Sequence, residues 1–160
     1  MKIKSRHHLK GSEAKRVLAA IEPLVSDSAG LRKASLERAI TDEDIDLIFV
    51  NGKPLLMIVE DQPFFTVLGA IELEPQKKLV VVDAGAVRFV VNGADIMNPG
   101  IVNADPEIAP GDLVVVVEER YRKPLAVGRA LIPGTEMKGE GKAVKSMHHV
   151  GDLIWKGLEG

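Results

Sequence analysis

The chain has 160 residues, 46% hydrophobic and 28% charged, with a net charge of −2 and a pI near 6.1. That length suffices for one large core or two small ones, while the near-neutral charge argues against a strongly electrostatic, sequence-blind nucleic-acid binder. The absence of cysteine removes disulfides, thiolate metal sites and cysteine nucleophiles, and no apolar run approaches the roughly 20 residues that span a bilayer.

The first ten residues, MKIKSRHHLK, carry charge without an apolar stretch behind it. They do not read as a secretory signal, so a cytoplasmic protein with no membrane partner is expected. Lys2, Lys4, Arg6, Lys10, Lys15 and Arg16 stand against only Glu13. A solvated terminal segment and an RNA-contacting patch both fit that run. Ser12 is suited to cap a helix carrying Val17, Leu18, Ile21 and Leu24, which Pro23 bends or ends. Two apolar runs from Asp44 to Glu60 flank Asn51-Gly52, a hairpin signal because both turn residues must accept positive φ. After Pro63, the spacing of Phe64, Val67, Leu68 and Ile71 predicts a second helix.

The polar, proline-marked Glu74–Lys78 stretch marks a domain boundary, giving residues 1–77 as an N-terminal α/β domain and 78–160 as a second domain. LVVVD reads as a buried strand, followed by a small-residue helix and the IMNPGIV stretch. APGDLVVVVEE, KPLAVGRALI and KAVKSMHHV supply further short strands, the second with Gly128 inside it. Short strands separated by Gly and Pro fit a small β-barrel better than a parallel βαβ sheet, so the fold class is α+β. Trp155, near the end of GDLIW, is expected to be structural.

Asp83 to Ile101, DAGAVRFVVNGADIMNPGI, leaves unusually bare backbone. Asp83 is a good N-cap, and Ala84, Gly85 and Ala86 would form a first helical turn with open N–H groups that suit phosphate. Val87, Val90, Val91 and Ala94 share one face, expected to be buried, and Arg88 falls off it, its fork free for phosphate or a base edge. Gly93 is placed to end the helix left-handed, and Pro99-Gly100 to turn the chain back. The stretch follows neither the dinucleotide-binding nor the Walker pattern. On the residues alone, close packing and ligand contact both remain open.

The blocks DAGAVRFVVNGADIMNPGIV, APGDLVVVV, PLAVGRAL and GKAV…HHVGDLIW resemble a PUA domain, the RNA-binding pseudo-barrel named after pseudouridine synthases and archaeosine transglycosylases. With VNGKPLLMIVEDQPFFTVL ahead of them, they are similar to the malignant T-cell amplified sequence family, its archaeal relatives and ligatin-type translation factors. The resemblance covers nearly all the chain beyond about residue 30. It implies an N-terminal pre-PUA domain, a C-terminal PUA pseudo-barrel and a non-enzymatic protein that binds structured RNA, either tRNA or ribosomal RNA. Carried onto this chain, the RNA-contacting places are Ala84, Gly85, Ala86, Arg88, Asn92, Gly93, Ala94, Lys142 and Lys145. The eukaryotic relatives imply action on the small ribosomal subunit, in re-initiation and recycling, with a density-regulated protein partner. A substrate-docking subunit for an RNA-modifying enzyme and a protein-interaction adaptor are the alternatives.

No other pattern carries catalysis. Adjacent histidines on a strand point to opposite faces, so neither His7-His8 nor His148-His149 chelates by itself, and no HExxH occurs. No metal or cofactor is expected. The acidic run Asp42, Glu43, Asp44 and Asp46 reads as a turn surface helped by Thr41, and Glu60-Asp61 as a solvated strand end. No nucleophile elbow is present.

Overall fold

The computed structural model describes residues 1–159. The chain divides into two compact units, Met1–Gln76 joined by the residues from Gly157 on, and Lys77–Lys156.

The first unit is a five-stranded sheet in which each strand pairs with its sequence neighbours. Its elements are β1 (Ile3–His8), α1 (Gly11–Ile21), α2 (Ser28–Arg32), β2 (Leu36–Thr41), β3 (Ile45–Val50), β4 (Lys53–Val59), β5 (Gln62–Phe65) and α3 (Val67–Leu73). Of the basic N-terminal run, Lys4 and Arg6 thus lie on an edge strand, and Lys15 and Arg16 on α1. All six residues of β1 are exposed, so no hydrophobic alternation marked it in the sequence. Its antiparallel ladder with β2 holds it, as do the Arg6–Glu37 ion pair, the His8 ring 3.3 Å from Glu37 and the Arg6 guanidinium 3.8 Å over the Phe49 ring.

Ser12 does not cap α1. Lys10 holds the cap position without a side-chain bond, and the helix stops at Ile21, where Pro23 enters a 3₁₀ turn. Arg38 ties this helix to the sheet, donating from Nη1 to Glu13 Oε2 at 2.9 Å and from Nη2 to Asp46 Oδ2 at 2.8 Å. The β3–β4 hairpin turns on Asn51 at φ 50° and Gly52 at φ 84°, as the two-residue turn requires. Thr41 Oγ1 accepts the Glu43 N–H at 3.1 Å, so Asp42, Glu43 and Asp44 form the turn between β2 and β3, while Asp46 lies within β3.

The second helix is shorter than its apolar spacing predicts. Pro63 and Phe64 belong to edge strand β5, where a missing N–H is tolerated, and α3 begins only at Val67. Thr66 sets that start, accepting from Gly69 N and donating to Pro54 O, both at 2.9 Å. Gly69 lies so close to β4 that an added Cβ would sit 1.7 Å from the Leu55 carbonyl oxygen.

The second unit holds β6 (Leu79–Val82), α4 (Ala84–Val90), β7 (Ile96–Met97), β8 (Ile101–Ala104), β9 (Leu113–Glu118), β10 (Pro124–Ala130) and β11 (Lys142–His149). α5 (Leu153–Glu159) follows. The sheet runs β7-β11-β10-β9-β6-β8, with β6 parallel to β9 and every other pairing antiparallel. Its two edge strands, β7 and β8, are joined by only the 3₁₀ turn Asn98–Gly100. Three residues reach about 10 Å, so the sheet must curl until its edges nearly meet, which makes it a pseudo-barrel. Val80, Val82, Val90, Ile96, Val114, Val116, Ala126 and Val144 fill its interior.

Asn98 rivets the joint. It is buried, its backbone N–H donates to Gly141 O at 2.8 Å, and its side-chain amide donates to the carbonyls of Lys138 (3.2 Å) and Glu140 (3.0 Å). Among the described residues, no helix is long and apolar enough to cross a membrane.

Three substitutions test this packing by urea unfolding. Gly69→Ala should destabilise by about 3 kcal/mol, because the clash is with backbone and cannot be relieved by a rotamer, whereas Gly11→Ala, with nothing within 4 Å, should be near neutral. Asn98→Ala should cost about 2 kcal/mol by stripping two carbonyls of their donor.

Candidate nucleic-acid interface

Asp83 caps α4 as its position suggested, accepting the Ala86 N–H on Oδ1 at 3.0 Å. This changes the expected phosphate site. The cap takes one N–H of the first turn and sets a carboxylate in front of the others, in a helix of only seven residues. Ala84 and Gly85 are exposed, but Ala86 is partly buried against the core, and a Cβ on Gly100 would lie 3.1 Å from the Ala86 Cβ. Small residues at Ala86 and Gly100 therefore serve close packing.

The far end of α4 has a different character. Arg88 and Phe89 are both exposed, Phe89 to 54%, and the Arg88 guanidinium lies 4.8 Å from the Phe89 ring. Phe89 was not singled out in the sequence, because an aromatic on a short apolar helix reads as core. The helix stops as Gly93 predicts. With φ 91°, Gly93 donates to Val90 O and Ala94 donates to Phe89 O, each at 3.0 Å, the paired bonds of a Schellman ending. That ending corrects one expectation: Val90 is buried and Val87 and Val91 are partly so, but Ala94 has left the helical face and is exposed.

The loop beyond Gly93 is fastened to β11. Asp95 accepts the Ser146 backbone N–H at 2.9 Å and the Lys142 ammonium at 2.8 Å. The Lys142 hydrogen bond, followed by the Ser146 N–H, holds the Asp95 carboxyl below its usual range, and Lys145 adds a weaker attraction. A register shift between Lys142 and Val144 in the β11–β7 ladder leaves Ala143 and Val144 both buried and Lys142 and Lys145 both exposed. Without the shift, strict alternation would send residues three apart to opposite faces. Gly93 faces the His149 ring, where an added Cβ would lie 2.9 Å from Nε2. Asn92 is exposed on the same turn. Asp95 and Gly93 thus bring the end of α4 against β11, with Lys142 and Lys145 around Asp95 and with Arg88, Asn92 and Ala94 exposed on the α4 side. Ala84 and Gly85 lie one turn earlier, in the first turn of the helix.

Beneath this surface, His148 is 1% exposed and its Nδ1 lies 3.0 Å from Asp152 Oδ2. Asp152 also accepts the backbone N–H groups of His149 (2.9 Å) and Trp155 (2.7 Å), which starts α5. Because a carboxylate only accepts, Nδ1 carries the hydrogen. Neither His148 nor His149 joins a cluster able to hold a metal among the described residues.

Known proteins match this architecture. The family model for the PUA domain matches residues 78–151. An uncharacterized protein of Methanocaldococcus jannaschii is 42% identical over 97% of this chain and 98% of its own. Translation machinery-associated protein 20 of Schizosaccharomyces pombe is 30% identical over 78% of this chain and 73% of its own. The crystal structure of a hypothetical protein from Pyrococcus horikoshii OT3 superposes with a TM-score of 0.88 at 38% identity, covering 96% of this chain and 99% of that one. The chain belongs to the PUA-domain family of the malignant T-cell-amplified sequence proteins and translation machinery-associated protein 20. The curled six-stranded sheet with α4 between β6 and β7 is its PUA domain.

Burial by itself would raise the Asp152 carboxyl, but the His148 hydrogen bond and charge and the Trp155 and His149 N–H groups outweigh it and leave it below the usual range. Its folded value is depressed, so its stabilisation is present above the ordinary carboxyl value near ~4 and lost as pH falls through the folded value. Asp152→Ala should cost about 2 kcal/mol at neutral pH. The acid limb of its thermal-melt profile should be shallower than that of the unmodified protein.

Proposed function

We propose that this protein is a non-enzymatic RNA-binding component of the translation machinery in the cytoplasm, holding structured RNA, either tRNA or ribosomal RNA, on its PUA domain. The observations that carry the reading are the solvent-facing Arg88–Phe89 pair on α4 and the exposed Lys142 and Lys145 on β11, the strand to which Asp95 fastens the loop after α4. In this reading Arg88 offers its planar fork to a phosphate or base edge and Phe89 a face for stacking. Lys145 supplies a point charge to phosphate, and Lys142 shares its charge between Asp95 and the RNA backbone. The Asn92 amide can meet a base edge or a ribose hydroxyl. Gly93 and Ala94 keep the surface low, so a strand can run from α4 onto β11. Ala84, Gly85 and Ala86 contribute close backbone approach rather than a charged site.

The family lends the setting, since a relative named for its association with the translation machinery shares most of this chain. Action on the small ribosomal subunit, with a protein partner, belongs to the same proposal. With a net charge of −2, binding has to come from these few local contacts. Three phosphate contacts on a duplex correspond to a log–log salt slope of about −3.

Arg88→Glu should weaken binding to a tRNA transcript about tenfold in fluorescence polarisation at low salt and leave the melting temperature unchanged, since the side chain is exposed. Unchanged affinity would remove Arg88 from the interface. No binding by the unmodified protein at any salt concentration would turn the search to protein partners.

A further inference from the structure

The hairpin joining β9 to β10 ends in Glu119-Arg120-Tyr121-Arg122-Lys123. Its shape is set from below by one carboxylate. Glu118 accepts the backbone N–H groups of Arg120 (2.9 Å) and Lys123 (3.2 Å), and also that of Tyr121. The Glu118 N–H closes onto Lys123 O at 3.1 Å, and Arg122 takes the left-handed φ of 56°. With the backbone bound inward, the tip side chains are left in solvent. Tyr121, the chain's single tyrosine, is 78% exposed, and Arg120, Arg122 and Lys123 are exposed around it.

Among the described residues, no salt bridge engages these three cations. Arg120 attracts the Glu118 carboxylate through space, and its guanidinium lies 5.9 Å from the Tyr121 ring. An open ring flanked by unpaired cations, on a backbone that is already ordered, is the combination that holds single-stranded nucleic acid: stacking for the base, charge for the phosphates on either side. It is poorly made for an apolar protein surface, because the neighbouring large residue, Leu125, is buried.

The location extends the argument. Glu118 pairs with Val82 in the parallel ladder and the Glu119 N–H donates to Val82 O at 3.0 Å. Val82 directly precedes the Asp83 cap. The tip therefore leaves the sheet at the same end as the exposed Ala84 and Gly85, and Arg88 lies one helical turn further along α4 (about 5 Å of rise).

We propose that the Arg120–Lys123 tip is a second RNA contact that takes an unpaired nucleotide, with Tyr121 stacking on the base and Arg120, Arg122 and Lys123 holding the flanking phosphates. The inference rests on the RNA-binding reading above and divides the labour within it. The α4–β11 group meets the structured part of the RNA, and the hairpin tip meets a single-stranded part.

The single tyrosine makes the test direct. The full chain labelled with 3-fluorotyrosine gives one ¹⁹F resonance, from Tyr121, and polarisation on the same samples reports overall binding. A tRNA transcript with its single-stranded 3′ end should shift that resonance, and one lacking the end should not. Tyr121→Ala should weaken binding of the intact transcript about tenfold, with affinity rescued by Tyr121→Phe. Arg122→Asn, which keeps a residue tolerant of positive φ, should flatten the salt slope by about 0.7. If the transcript binds with the resonance unmoved and both variants bind normally, the tip is not a contact, while the α4–β11 reading stands. If the unmodified protein binds no RNA, both readings fall. A resonance that moves equally with a polyglutamate peptide overturns the nucleotide assignment in favour of an acidic protein partner.

Discussion

The closure of the second sheet through Asn98-Pro99-Gly100 is the constraint on which the rest of that unit depends. Strands β7 and β8 lie at opposite ends of the sheet order, yet three residues join them. The sheet can satisfy that only by curling, and the curl is what packs the valines of β6 and β9 into one interior. The joint is held by bonds across the turn: the Asn98 side-chain nitrogen serves two carbonyls, although its Oδ1 is buried without a partner among the described residues, and Gly100 O accepts the Asp83 N–H at 2.9 Å. Asp83 is thereby placed at the head of α4. One short turn thus sets both the barrel and the direction in which its helix leaves.

The same geometry sorts the glycine-rich stretch into two halves with different uses. At the head of α4, Asp83, Ala86 and Gly100 are occupied with each other, and small size there is a packing requirement. At the tail, Gly93 turns the chain sharply enough for Asp95 to reach β11. This brings the cations of a helix and a distant strand onto one surface. An anion approaching the head would meet a carboxylate, and one approaching the tail would meet guanidinium and ammonium groups. Arg88 and Phe89 follow from their places at the solvent side of the last turn, not from any excess of charge in the chain.

Much of the first unit was legible from local signals. Asn51-Gly52 could be read as a hairpin because two successive residues had to accept positive φ, and both do. Where the sequence reading missed, a tertiary partner overrode the local pattern. Phe64 fits a helical stripe with Val67 and Leu68, yet the β4 edge claims it as a strand, and Thr66 delays the helix by bonding back to Pro54. Ile3–His8 shows no buried face at all, because its ladder to β2 and the Glu37 carboxylate hold it instead of apolar contact.

By itself, the order of residues determined the short valine-rich strands, the cap at Asp83, the left-handed stop at Gly93 and the presence of a PUA-like block, since each depends on neighbours a few positions away. It also supplied the identity of the exposed cations. Only the tertiary structure decided which of them share a surface, because the Lys142 and Lys145 placement depends on a register shift against β7, and the grouping with Arg88 depends on Asp95 crossing to Ser146. Likewise, EERYRK is a charged run in sequence. It becomes an outward-facing tip only when one carboxylate gathers three backbone N–H groups beneath it. Periodicity and capping are local, whereas register and closure belong to the folded chain.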